Sequence, residues 1–158
     1  MAVIIRAPAA QIYTVRNPCQ NSDLRRLRAL NTQLILDSLE RASTEGDPAP
    51  AVYARVFRSH PEMERLFWRD KDGAVRGHMF QEMVMAIIDY LGDNTYGGNL
   101  FRIEHVNHEQ LGVPRDVYPV VFDALRDELR ERLMPDWSVQ TDEAWTQLIS
   151  RIRDHLDR

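Results

Sequence analysis

"HVNHEQLGV", residues 105–113, is the stretch on which the reading of this 158-residue chain turns. Two histidines stand three residues apart, a Leu-Gly pair follows, and Pro114 and Tyr118 lie just downstream. Three apart on a helix puts both imidazoles on one face. Spacing alone therefore does not choose between His105 and His108 as a ligand, and a purely structural pair fits as well. Gly112 suits the left-handed residue that ends a helix, which closes a helix running from about Asn99 to Leu111.

Working outward, the chain reads as helices punctuated by Pro and Gly. Upstream, about Ala74 to Leu91 is the most apolar segment. Met79, Phe80, Met83, Val84, Ile87, Ile88 and Leu91 form a broad stripe at helical spacing, ended by "GDNTYGG". "WRDKDG", residues 68–73, is a polar connector after a short turn from Pro61 to Phe67. Before it, Asp47 and Pro48 open a helix carrying Val52, Tyr53, Val56 and Phe57. Ser22 or Asp23 caps an earlier helix that carries Leu27, Leu30, Leu34, Ile35 and Leu39 and stops at Gly46. Downstream, Pro114 opens a helix with Tyr118, Val121, Phe122, Leu125, Leu129 and Leu133 that stops at Pro135. Thr141 caps the last, with Trp145, Leu148, Ile149 and Ile152. Six substantial helices and a short one, with no period-two alternation, predict an all-α fold. Residues 1–20 read as an irregular N-terminal extension and 21–158 as one domain.

Composition narrows the function. Apolar residues make up 44%, charged residues 28%, and net charge is −4 with the signs mixed. No basic stripe stands clear of acidic neighbours, so no nucleic-acid partner is expected. Cys19 is the only cysteine, which excludes an internal disulfide and a cysteine-based zinc site and fits a reducing cytoplasm. No run approaches the roughly 18 apolar residues of a membrane span, and "MAVIIRAPAAQ" is too briefly apolar for a signal peptide. A broad apolar helix preceding a histidine-bearing one suggests a slot for a flat apolar ring with a central metal, held by one neutral imidazole.

Two segments carry a family resemblance. "RVFRSHPEMERLF", Arg55 to Phe67, resembles the stretch joining the second and third helices of a globin. "HEQLGVPRDVYPVV", His108 to Val121, resembles the proximal segment of bacterial single-domain globins and flavohaemoglobins. The resemblance extends over about residues 22–157 and implies a globin fold around haem b, iron protoporphyrin. It implies His108 as the iron ligand and leaves His105 with none, because globin iron takes one proximal histidine and keeps its sixth position for a gas. It matches Phe67 to the haem-packing phenylalanine, Tyr118 to the tyrosine near the proximal histidine, and Tyr53 to the ligand side, where flavohaemoglobins also have a tyrosine.

Met79, Phe80, Met83, Val113 and Val121 would then line the slot. Val75, Arg76 or Met79 would take the distal position on the Met-rich helix, and Arg76 would guard the pocket mouth or pair with a haem propionate. His78 shares its face with Glu82, Met85 and Asp89 and is expected to be exposed. Two departures stand out. The family's late glutamate, which hydrogen-bonds the proximal imidazole, aligns beyond Arg158, and the residue before the proximal histidine, often lysine, is Asn107. The implied function is binding of O2, CO or NO, with nitric-oxide dioxygenation if an external reductase supplies electrons. The alternative is a gas- or redox-sensing globin-like protein, with or without haem. A homodimer is compatible with the sequence, which does not decide the oligomeric state.

Overall fold

The computed structural model describes residues 18–157, and side-chain surroundings from residue 24 onward. The helices are α1 (Pro18–Thr44), α2 (Ala49–Ser59), α3 (Pro61–Glu64, followed by a 3-10 turn, Arg65–Phe67), α4 (Ala74–Leu91), α5 (Gly97–Gln110), α6 (Val120–Leu133) and α7 (Val139–Leu156). No strand occurs among the described residues, and the all-α expectation holds. No described helix is long and apolar enough to cross a membrane.

The body is built by α1, α2, α6 and α7: α1 lies on α7 and α6, and α2 lies on α6. Trp145, Phe122, Ile35, Leu125, Leu129 and Ile152 are among its fully buried side chains. The Trp145 indole donates to Ser38 Oγ at 3.0 Å inside it, so the buried N–H is satisfied. α4 packs on α2 and α5, and α5 returns to α7. The side chains that α4, α5 and the start of α6 turn toward this body are therefore the ones able to border a slot at its edge.

Several boundaries differ from the sequence reading. α1 is already under way at Pro18, ahead of the expected cap at Ser22 or Asp23; residues 1–17 of the expected extension lie outside the described residues. Leu27 and Leu30, expected on the core face, are exposed. Ile88 is exposed too.

α5 begins at Gly97, inside the expected connector. Asp89 accepts from the Thr95 hydroxyl and from the N–H groups of Tyr96 (2.9 Å) and Gly97 (2.7 Å). A Cβ on Gly97 would lie 2.3 Å from the Ala86 carbonyl, so only glycine lets α5 approach α4 this closely.

α6 begins at Val120, not Pro114. Pro119 disfavours helical backbone at Tyr118 and has no N–H to donate back to Arg115. Residues 114–119 form turns instead. α7 is capped by Ser138, whose hydroxyl accepts from Thr141 N at 3.0 Å; Thr141 lies inside the first turn, not at the cap.

Candidate functional site

The two histidines of α5 have different surroundings. Gly112, at φ +95°, ends the helix. The Val113 N–H donates to the His108 carbonyl at 2.9 Å and the Gly112 N–H to Glu109 at 3.1 Å, a paired closure that fixes the last turn. His108 Nδ1 lies 2.7 Å from the Glu104 carbonyl. A carbonyl only accepts, so Nδ1 carries the proton and Nε2 keeps its lone pair. The ring is half-buried, with the Tyr118 ring 5.0 Å away.

His105 is 4% exposed, stacks on Tyr118 at 5.1 Å, and places Nε2 3.1 Å from the Arg115 carbonyl. That is the carbonyl Pro119 leaves without a helical donor. The His105 Nε2–H fills it, so this nitrogen is committed to the fold. Among the described residues, only His108 of this pair presents an unengaged Nε2 to the edge of the core.

On α2 stands Tyr53. Its ring packs edge-on against Phe67 at 5.6 Å and near Phe57 at 6.0 Å, and Phe57 lies 5.5 Å from Phe67. Tyr53 is buried, yet its hydroxyl makes no hydrogen bond to a described residue. Burial pushes its pKa up to about 12, partly opposed by the charge of Arg76 and reinforced by that of Asp70. Tyr118 is pushed up further, first by burial, then by the charges of Glu104 and Tyr53.

Arg76 is held rather than free. Its Nε lies 2.7 Å from Asp70 Oδ2 and its Nη2 donates to the Asp70 carbonyl at 3.0 Å. The Asp70 carboxylate also accepts from the N–H groups of Val75 (2.9 Å) and Arg76 (3.1 Å), anchoring the first turn of α4. Burial works against the charged carboxyl, but these hydrogen bonds outweigh it and hold its pKa below the usual carboxylate range. Nη1 and the second N–H of Nη2 are left for any group at the pocket mouth.

The structure brings Phe67, Met83, Tyr118 and Val121 together as partly buried side chains against the core. Met79 and Val113 are also half-buried, Phe80 is inside the core, and Val75 and His78 lie on the exposed side of α4. Sequence reading missed Asp70 and Glu104. The only signal for Asp70 was an acid in a connector just ahead of a helix. Among the described residues no group of three or more His, Cys, Asp or Glu side chains could hold a metal ion. A metal bound through His108 must therefore bring its other ligands with it, as a porphyrin does.

Residues 50–156 match the globin family model, more than half of the chain. The chain belongs to the globin family. This globin is 28% identical over 108 residues to the flavohemoprotein of Rhizobium meliloti strain 1021. The match spans 66% of this chain and 26% of that protein, so the globin corresponds to about a quarter of that relative's length. Its residues fit a haem: an imidazole whose Nε2 and a buried phenol whose hydroxyl are not engaged by any described residue, with a partly buried apolar rim.

Proposed function

We propose that this globin binds haem b through His108 and takes a diatomic gas (O2, NO or CO) on the side of Tyr53. The observation that carries the reading is a pair of polar groups, His108 Nε2 and the Tyr53 hydroxyl, that make no hydrogen bond to any described residue. Haem supplies a ferrous iron that binds such gases. The chain does the rest. His108 donates Nδ1–H to the Glu104 carbonyl, which fixes the tautomer and aims the Nε2 lone pair. Phe57 and Phe67 hold the Tyr53 ring. The Tyr53 O–H can donate to a ligand that accumulates negative charge, and burial keeps that proton in place at neutral pH.

The reaction we favour for this site is conversion of NO and O2 to nitrate. It consumes one electron per turnover, for which a reductase acting on the globin is required. Reconstitution with haem and comparison of ferrous, ferrous-CO and ferric spectra tests the binding. His108→Ala should abolish the iron-histidine signature, whereas His105→Ala should keep it while lowering stability. Loss of the signature in the His105 variant would move the ligand one turn up the helix. Multiple turnover with NO in the presence of a reductant separates an enzyme from a carrier or sensor.

A further inference from the structure

The proximal imidazole has a second neighbour besides the carbonyl that binds it. Glu104 Oε2 lies 3.5 Å from His108 Nδ1, on the side of the ring away from Nε2. The other oxygen, Oε1, accepts from Asn107 Nδ2 at 3.2 Å. Glu104 also raises the pKa of Tyr118, whose ring lies against the same imidazole. Among the described residues no other carboxylate is within ion-pair distance of His108.

These contacts form a small constellation on one turn of α5. Asn107 holds the carboxylate by a neutral amide and leaves its charge intact. A lysine there would pair with Glu104 and cancel it. We infer that Glu104 is a positioning residue that places a fixed negative charge behind His108, with Asn107 as its clamp, so that the proximal ligand is made more electron-donating from within its own helix. A negative charge there favours the ferric over the ferrous form of a bound haem and strengthens the iron–imidazole bond. The inference rests on His108 being the haem ligand.

The test uses the haem-loaded protein and reads the reduction potential and the iron–histidine stretching band of the ferrous form. Glu104→Gln keeps the main-chain carbonyl, the size of the side chain and a partner for Asn107, and removes only the charge. It should shift the ferric/ferrous balance toward ferrous by roughly three- to tenfold, the upper end being about 59 mV for one electron. It should also lower the iron–histidine frequency. Asn107→Lys should move both in the same direction. Glu109→Gln removes an equal charge from the same helix, where it pairs with Arg115, and should leave both almost unchanged. An unchanged potential and frequency in Glu104→Gln would overturn the inference, as would an equal shift in Glu109→Gln. If the unmodified protein lacked an iron–histidine band that His108→Ala removes, the ligand assignment itself would fail instead.

Discussion

In the proposed site, Tyr53 concentrates the ligand-side chemistry in one hydroxyl. A hydrogen bond to a charged group contributes about 1.5–3 kcal/mol, and bound O2 carries more negative charge than bound CO. Tyr53→Phe keeps the ring packing on Phe57 and Phe67 and removes only the donor. It should raise the O2 dissociation rate about tenfold or more and change CO release much less, as read by stopped-flow displacement. Unchanged O2 release would rule out the donor role. The same residue makes a pH prediction. Its folded pKa, about 12, lies above the ordinary tyrosine value of about 10. The unfolded chain therefore loses this proton first, and the stability it contributes is full below pH ~10 and is lost as pH rises toward 12. Urea midpoints should fall more steeply over that window in the parent protein than in Tyr53→Phe. Phe67 is only half-buried by its own chain. Phe67→Ala should therefore cost the apo-protein less than the about 3–5 kcal/mol of a buried core phenylalanine, while haem dissociation accelerates at least about tenfold. Equal losses of apo and holo stability would mark Phe67 as ordinary core.

At the level of the elements, α5 depends on an acid from α4. Asp89 has its pKa lowered to about 2, where hydrogen bonds from Thr95, Tyr96 and Gly97 overcome the cost of its burial. Its folded pKa lies below the unfolded value of about 3.9, so its contribution is present above pH ~4 and lost as pH falls toward 2. The urea midpoints of Asp89→Asn and the parent should differ at neutral pH and converge near pH 2. A second element-scale prediction concerns Arg115. His105→Phe leaves its carbonyl without a donor, whereas Pro119→Ala restores a main-chain N–H that can reach it. The double variant should be less destabilised than the two singles added together, and a strictly additive cycle would show that the His105 bond is not what Pro119 makes necessary. These cases also mark what the sequence could tell. α4 was legible from Ala74 to Leu91 because its apolar period and its bounding glycines agree. The end of α5 was legible because Gly112 alone can take that backbone. The starts of α5 and α6 were not, since one depends on a carboxylate eight residues upstream and a close approach to Ala86, and the other on a proline whose neighbours read as helical. Tyr53, Phe67 and His108 came from a family pattern; Asp70 and Glu104 belong to no such pattern and became visible only as contacts.

Over the whole molecule, the buried body and the candidate slot share Tyr53 and Phe80 but otherwise draw on different residues. Trp145, Ile35, Leu125, Leu129 and Ile152 close the body among α1, α2, α6 and α7, while His108, Met83, Val113 and Val121 remain partly open at its edge. A buried ion network fastens α2 to α6: Glu128 accepts from Arg55 Nε at 2.9 Å and Arg132 Nε at 2.7 Å, and Arg132 also donates to the Gly46 carbonyl at 3.1 Å. Neither set of bonds involves the slot. Hydrogen exchange of the haem-free protein should therefore show α6 and α7 protected nearly as in the holo form, with loss confined to the first turns of α4 and the last turns of α5. Global loss of protection would tie the body to the cofactor. A body that closes without the slot residues can be synthesised and stored ahead of its pigment. The quantity of working gas-binder in a cell would then follow the supply of haem from one hour to the next, with the polypeptide already waiting as a reserve.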